Sequence, residues 1–261
     1  MYELELRTAC DAATRAGRTI MCIAQEHYGR AVDQADRKVL TLADLEADRL
    51  LKETLMQAFP EDGWLSEETR TDHRRLTCSR VWIVDPLDGT REFVMHNPEY
   101  VVSVALVVQG EPVLGVVYNP ATDDLYAGAK GGGVRFNGTR VSCGRMFQEK
   151  AVVEVSRSDI EKGCFAGFDD KLDLKPCGSI AFKLARLSAG LADSTLSVTP
   201  KNEWDIAAGV FLVTEAGGHV TDLNGRPYRF NQTDTLVDGV IAATQEAYEV
   251  IRNVVLAVKE A

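Results

Sequence analysis

The sequence has no apolar run that approaches the roughly 18 residues needed for a membrane-spanning helix. Its N-terminal residues 1–19 carry acidic side chains early and lack the apolar segment of a secretory signal. We therefore expect a protein without a membrane anchor that works in the cytoplasm.

Residue pairs typical of zinc and redox sites are also missing. The four histidines include no HxxxH pair and the six cysteines include no CxxC pair, so a zinc site with nitrogen and sulfur ligands is not expected. A chain of 261 residues can bury a large core without disulfides. We interpret the cysteines as free thiols.

Basic residues are the minority, with 29 Lys and Arg against 39 Asp and Glu and a net charge of −10. This balance argues against direct binding of nucleic acid. An acidic protein that acts on phosphates would need cations at its site.

Two helices are predicted at the start of the chain. Residues 3–27 repeat small and apolar side chains at helical spacing. A second helix is predicted to begin at Thr41, with Asp44 three positions later in the capping-box arrangement, and to end at Pro60.

The order of predicted strands and helices in the rest of the chain changes near residue 150. Four β-rich runs between residues 101 and 136 predict an antiparallel meander, and beyond residue 150 strands alternate with helices. We predict an antiparallel α+β lobe over residues 1–150, followed by a smaller α/β lobe over residues 151–261.

The stretch Val81–Phe93 changes character half-way, from an apolar predicted strand, VWIV, to the sequence DPLDGT. Pro86 restricts the backbone, so Asp85 and Asp88 are predicted to lie on a stiff bend. A helix that begins at Gly89 or Thr90 would direct free N–H groups towards a phosphate oxygen. Hard cations such as Mg²⁺ prefer carboxylate and carbonyl oxygens, and the Leu87 carbonyl is a further candidate ligand. An ordinary turn explains the same residues equally simply.

Three further acidic positions are candidates for the same site. Glu67, in the pair Glu67-Glu68, follows a short predicted strand and could join a metal cluster. Asp44 and Asp205 are predicted near helix starts, where an acidic side chain also complements the helix dipole. From their own positions alone, the structural and the functional explanations stay open.

Five motifs along the chain, in this order, resemble those of one family. They are Thr41–Asp44, Glu67-Glu68, Asp85–Thr90, Gly178-Ser179 and Trp204–Gly209. Together they resemble the inositol monophosphatase superfamily of Mg²⁺-dependent, lithium-sensitive phosphatases. The resemblance covers nearly the whole chain and implies a layered αβαβα sandwich.

The resemblance implies a phosphomonoesterase with two or three Mg²⁺ ions. The residues implied as metal ligands are Glu67, Asp85, Leu87 through its carbonyl, Asp88 and Asp205. Thr90 and Asp44 are the implied pair that orients and deprotonates the attacking water, while Gly89, Thr90, Gly178 and Ser179 are expected to contact the substrate. The implied substrate class is a small phosphorylated metabolite.

Within the superfamily, two differences between this sequence and the members that act on inositol phosphates bear on the substrate. Members that act on inositol phosphates carry Thr-Asn after DGT and a ring-binding carboxylate shortly before the WD motif. Here Arg91-Glu92 follows Thr90, and no carboxylate lies between Thr195 and Asn202. This pattern resembles the bacterial 3'(2'),5'-bisphosphate nucleotidases, which convert 3'-phosphoadenosine 5'-phosphate to AMP.

Arg91 and Lys201 are then expected to meet a second phosphate. Inositol 1-phosphate or a related sugar phosphate is the alternative substrate, and fructose bisphosphatase or histidinol phosphatase activity stays open.

A different class of function is an interaction protein, since some bacterial relatives are implicated in binding the transcription or ribosome-assembly machinery. A homodimer is compatible with the family. The interaction protein remains an alternative to the enzyme, and a homodimer remains an expectation.

Overall fold

We describe the protein from a computed structural model, which covers residues 1–27, 34–69, 73–144, 151–168 and 172–259. Helices and sheets alternate in five layers. A helix pair covers a seven-stranded sheet, a second helix pair separates that sheet from a five-stranded one, and a last helix covers the outer face. The predicted αβαβα sandwich is confirmed.

The first layer consists of α1 (Glu3–His27) and α2 (Gln34–Ala58). α1 has the predicted bounds, and its buried alanines allow a close approach to α2 and the sheet. α2 begins before Thr41, so the predicted capping box at Thr41 is wrong. The residues from Gln34 to Leu40 include several good helix formers and extend the helix upstream, which leaves Thr41 in its interior.

The first sheet holds its strands in sequence order. They are β1 (Gly63–Ser66), β2 (Arg80–Asp88), β3 (Val101–Val108), β4 (Glu111–Asn119), β5 (Asp124–Ala129), β6 (Gly133–Phe136) and β7 (Thr139–Val141). β1 and β2 are parallel and the other neighbours are antiparallel, which confirms the predicted meander. β7 was not predicted because it has only three residues, none of them buried. A 3₁₀ turn, His73–Thr77, precedes β2.

β2 continues through the acidic motif, whereas the sequence predicted its end at Val84. Asp85 pairs with Ser103 and Asp88 pairs with Val101, so the register shifts between them. Such a bulge accommodates Pro86, which has no N–H to donate to the ladder. The predicted helix then follows as α3 (Thr90–Val94).

Gly89, between β2 and α3, is required by its geometry. Its φ is +96°, and a Cβ atom added there would lie 2.8 Å from the Glu99 carbonyl oxygen and 3.0 Å from the Tyr100 Cα. A side chain would therefore both strain the backbone and displace the chain ahead of β3.

The described residues after 150 form four helices and seven strands. The helices are α4 (Arg157–Glu161), α5 (Ile180–Ser188), α6 (Glu203–Glu215) and α7 (Gln245–Lys259). The strands are β8 (Val152–Val155), β9 (Asp173–Pro176), β10 (Ser194–Ser197), β11 (Lys201–Asn202), β12 (His219–Thr221), β13 (Leu236–Val237) and β14 (Val240–Ala243). Five form a sheet in the order β12, β14, β10, β8, β9, and β11 pairs with β13. β8 lies parallel to both β9 and β10.

The middle layer explains why α5 and α6 are buried almost all round, since each lies between two sheets. Alternate residues of β14 belong to different cores. Val240 and Ala242 join the core around α5 and α6, while Ile241 and Ala243 join the core beneath α7. The predicted division into lobes at residues 150 and 151 stays a prediction, because residues 145–150 lie outside the described ranges.

Candidate active site

A cavity of about 290 Å³ gathers residues from both halves of the chain. Eleven of the predicted site residues line it: Glu67, Asp85, Leu87, Asp88, Gly89, Thr90, Arg91, Gly178, Ser179, Lys201 and Asp205. Asp44 is the one predicted site residue that does not. Residues separated by more than a hundred positions therefore converge on one cavity.

Several of these residues lie just beyond the carboxyl ends of two pairs of parallel strands. Glu67 directly follows β1, and its N–H donates to the carbonyl of Val84 on the parallel neighbour β2. On the other side, Ser156 follows β8 and Gly178 comes shortly after β9, so the parallel pairing brings the two chain segments together. Ligand sites commonly lie at the carboxyl ends of parallel strands.

Backbone and hydroxyl donors orient three of the carboxylates. Asp85 Oδ1 accepts from the Leu87 N–H at 3.0 Å. Asp205 Oδ2 accepts from the Asn202 N–H at 2.8 Å, as part of a capping box at the start of α6. Asp88 Oδ2 accepts from Ser179 Oγ at 2.6 Å and from the Ala181 N–H at 2.8 Å, both at the start of α5.

Burial and mutual repulsion disfavour the ionised form of these carboxylates when no cation is bound. Burial raises the pKa of Asp85 well above its usual range, and the charges of Asp88, Asp205 and Glu67 raise it further. The pKa of Asp205 is raised to about 7 by burial, followed by the charge of Asp88. A divalent cation would relieve both the burial and the repulsion, so the donor chemistry fits a hard metal ion.

The described side chains of the cluster do not provide a complete set of metal ligands. Across the described ranges, no three His, Cys, Asp or Glu side chains stand close enough to complete a metal site by themselves. Mg²⁺ commonly takes one or two carboxylates and fills its other positions with water and substrate oxygens. The residues therefore fit a metal that shares its ligands with a bound phosphate.

Known proteins match this chain over almost its full length. The sequence pattern described as "Inositol monophosphatase family" matches residues 2–259. The chain belongs to the inositol monophosphatase family.

Relatives within the family carry two kinds of name. An inositol-1-monophosphatase of Mesorhizobium japonicum is 34% identical, over 98% of this chain and 96% of that protein. The 3'(2'),5'-bisphosphate nucleotidase CysQ of Escherichia coli K12 is 32% identical, over 89% and 96%. A solved structure of CysQ from Bacteroides thetaiotaomicron has a TM-score of 0.81 at 28% identity, over 94% of this chain and 98% of that one.

As a member of the inositol monophosphatase family, the chain is a divalent-metal-dependent phosphatase that acts on small phosphorylated substrates. Within the described part of the chain, no helix is long and apolar enough to cross a membrane.

Asp44 lies beside the acidic cluster rather than in the cavity wall. Burial raises its pKa to about 8, and the charges of Glu68, Glu67 and Asp48 add to this effect. Thr90 lines the cavity at the first position of α3. Their assignment as a catalytic pair stays a prediction.

Two predicted phosphate-binding residues already have partners. Arg91 Nη2 lies 2.8 Å from Glu161 Oε2 in an ion pair with both side chains exposed. Lys201 Nζ donates to Thr199 Oγ1 at 2.9 Å. Both line the cavity, and their role towards substrate stays a prediction.

Lys183 lines the cavity and was missed by the sequence analysis. It is 2% exposed, and its Nζ donates to the carbonyls of Cys177 at 3.3 Å and Gly178 at 3.4 Å. Burial lowers its pKa, although the charge of Asp88 opposes that shift. The available signal was one lysine in the otherwise apolar first turns of α5, IAFKL, since charged residues are rarely buried without a reason.

Other unpredicted residues in the cavity wall are polar or lie near helix starts. They are Glu92, Ser156, Ser158, Ile180 and Asn202. Glu92 and Asn202 lie close in sequence to predicted site residues, whereas Ser156, Ser158 and Ile180 reach the cavity through the pairing of β8 with β9 and had no sequence signal of their own.

Proposed function

We propose that this phosphatase removes the 3'-phosphate of a nucleotide with phosphates at both the 3' and the 5' position, with 3'-phosphoadenosine 5'-phosphate converted to AMP. The observation that carries the proposal is the presence of two lysines, Lys183 and Lys201, in the cavity that also holds the carboxylates. One phosphate at the metal cluster needs no further lysines, whereas a second phosphate would use them.

Lys183 is the stronger of the two supports. Burying an ammonium group is costly, and the hydrogen-bond acceptors of Lys183 Nζ are two backbone carbonyls, at 3.3 and 3.4 Å. The carboxylates of Asp88 and Glu154 act on it through their charge. An anionic substrate group would add a direct partner of opposite charge inside the cavity. Lys201, on the strand that leads into α6, would contact the same part of the substrate.

The reacting phosphate is assigned to the carboxylate cluster. When bound, Mg²⁺ ions at Glu67, Asp85, Asp88, Asp205 and the Leu87 carbonyl supply charge neutralisation and an activated water. We propose two or three ions, in line with the number of carboxylates. The first N–H groups of the segment from Gly89 onward would hold phosphoryl oxygens.

The chain's own proton chemistry is assigned to Asp44 and Thr90. Burial and the charges of Glu68, Glu67 and Asp48 raise the pKa of Asp44 to about 8, so its ionised carboxylate is a stronger base than that of an ordinary aspartate. The Thr90 hydroxyl would orient the water and pass its proton towards Asp44. Cytoplasmic location and a homodimer accompany the proposal as predictions.

Inositol 1-phosphate is the second candidate substrate, and one specific observation favours it. Glu92 lines the cavity, where its carboxylate could accept hydrogen bonds from the hydroxyls of a polyol ring. It would replace the ring-binding carboxylate that the segment before Asn202 lacks.

Lys183→Met tests the bisphosphate assignment. Methionine keeps most of the buried volume, so the fold should tolerate it, while the counter-charge for the second phosphate is lost. We expect kcat/KM for 3'-phosphoadenosine 5'-phosphate to fall by about 10- to 100-fold, with a smaller fall for inositol 1-phosphate. Lys130→Met, at a 62% exposed side chain paired weakly with Glu111, is the matched control. An equal loss on both substrates would contradict the role given to Lys183.

A further inference from the structure

An ion pair outside the predicted site connects the two halves of the chain. Glu99 precedes β3 in the first half, while Arg157 follows β8 in the second half. Arg157 Nη2 donates to Glu99 Oε1 at 2.9 Å, and Arg157 Nη1 makes a short contact with Glu99 Oε2. Such a two-point arrangement fixes both side chains more firmly than a single contact.

Glu99 and Arg157 also make hydrogen bonds to the backbone of the segment that precedes α5. The Gly178 N–H donates to Glu99 Oε2 at 2.6 Å, and Arg157 Nη2 also donates to the Pro176 carbonyl at 3.2 Å. Gly178 is confined on another side too, because a Cβ atom added there would lie 2.3 Å from Glu92 Cγ. The backbone from Pro176 to Gly178 is therefore held from several directions.

This confinement acts on Ser179, which has an uncommon backbone conformation for a residue with a side chain. Its φ is +42° and its ψ is 120°. Residues keep such conformations only where their surroundings determine them strongly. In this conformation Ser179 Oγ donates to Asp88 Oδ2 at 2.6 Å and accepts from the Phe182 N–H at 3.0 Å.

We propose that Glu99 and Arg157 are positioning residues for Asp88. Their ion pair fixes Gly178, Gly178 fixes the conformation of Ser179, and Ser179 orients the Asp88 carboxylate. Hydrogen bonds from outside the metal's own ligands commonly set both the orientation of a ligand and the affinity of its metal. Arg157 also lies between Ser156 and Ser158, which line the cavity, so the pair fixes part of the wall as well. This inference rests on the proposed role of Asp88 as a metal ligand.

Direct metal binding tests the proposal without depending on a substrate. Mn²⁺ binding to the full chain would be measured by isothermal titration calorimetry for wild type, Glu99→Ala, Arg157→Ala and the double variant. We expect each single variant to bind Mn²⁺ about tenfold more weakly. The double variant should lose little more than either single one, because both break the same chain of contacts.

The controls separate positioning from general stability. Arg186→Ala removes an arginine with the same 31% side-chain exposure, which pairs with Glu154, while the hydrogen bonds of the Ser179 hydroxyl, at 2.6 and 3.0 Å, join it to Asp88 and Phe182. It should leave Mn²⁺ affinity unchanged. Glu99→Gln keeps an acceptor for Gly178 and should retain most of the affinity. If the alanine variants do not fold, Glu99→Gln and Arg157→Lys carry the test, and Arg157→Lys should weaken binding because lysine lacks the two-point geometry.

The outcomes distinguish this inference from the proposed function. Wild-type protein that binds Mn²⁺, together with Glu99→Ala and Arg157→Ala variants that bind within about twofold of it or no more weakly than Arg186→Ala, would overturn the positioning role alone. Wild-type protein that binds no Mn²⁺ would overturn the metal assignment and the inference that rests on it. Weaker binding by Glu99→Ala and Arg157→Ala, at thermal midpoints like that of Arg186→Ala, would support the proposal.

Discussion

Arg75→Ala is expected to destabilise the protein strongly, although Arg75 lies outside the cavity. Arg75 is 2% exposed, and its guanidinium donates to Asn231 Oδ1 at 2.6 Å and to the Gln232 carbonyl at 2.9 Å. The same two residues donate their N–H groups to the carboxylate of Glu203, which is fully buried, at 2.6 and 2.8 Å. The loop with Asn231 and Gln232 thus lies between the buried guanidinium of Arg75 and the buried carboxylate of Glu203.

The magnitude follows from what alanine would leave behind. Burial raises the pKa of Glu203 to about 7, while the two N–H donors and the charge of Arg75 act in the opposite direction. Removing the arginine leaves Asn231 Oδ1 and the Gln232 carbonyl without a charged donor, at about 1.5–3 kcal/mol each. It also takes a positive charge from the neighbourhood of the buried carboxylate, so we expect a loss of about 3–5 kcal/mol. For a chain of this length, where each kcal/mol shifts the thermal midpoint by about 2 °C, that corresponds to a fall of about 6–10 °C.

Urea unfolding and calorimetry of Arg75→Ala would measure this loss. The control is Arg229→Ala, which removes an arginine from the exposed pair with Glu111, where the side chains are 64% and 55% exposed. That change should cost less than about 1 kcal/mol. An equally small loss for Arg75→Ala would refute the assignment of the buried network as a stabilising element.

Three further predictions concern the site and the thiols. Asp88→Asn should reduce turnover by more than about tenfold with little loss of folded protein, and a smaller effect would remove Asp88 from the metal ligands. Arg91→Ala should raise KM for a bisphosphate nucleotide more than for a monophosphate, and equal effects would exclude contact with a second phosphate. Cys22, the exposed cysteine, should react fastest with a thiol reagent at pH 8, because burial raises the pKa of Cys10 to about 11 and that of Cys143 to about 12. A fast phase that persists in Cys22→Ser would contradict this order.

Local patterns predicted most elements of this fold. The helical spacing of residues 3–27 is sufficient because α1 has one periodic buried face. The runs that form β3 and β4 are sufficient for a different reason, since both strands are buried along almost their whole length and are therefore continuously apolar. The errors occurred where local cues competed. Thr41 and Asp44 form a capping pattern, yet the favourable residues upstream continue α2 to Gln34.

The end of β2 was misjudged for a different reason. Pro86 normally interrupts a strand, but a register shift opposite β3 lets the strand continue to Asp88. That shift is a property of the pairing between two strands, so the sequence around Pro86 could not reveal it.

The candidate site was predictable only in part. The carboxylates were named because their motifs occur in a fixed order, and the cavity contains the four predicted as metal ligands. Lys183 and the pair Glu99–Arg157 were not named, since their environment depends on how β8, β9 and α5 pack against the first sheet. A buried lysine and an ion pair between distant loops have no local sequence pattern.

The central claim is the preference for a nucleotide with two phosphates. We would measure phosphate release by the purified protein with Mg²⁺, using 3'-phosphoadenosine 5'-phosphate and inositol 1-phosphate side by side at equal concentration. A preference for the nucleotide of about a hundredfold in kcat/KM, ~2.7 kcal/mol in transition-state binding, is the result we predict. A preference of similar size for inositol 1-phosphate would contradict the account and would assign the ring-binding role to Glu92.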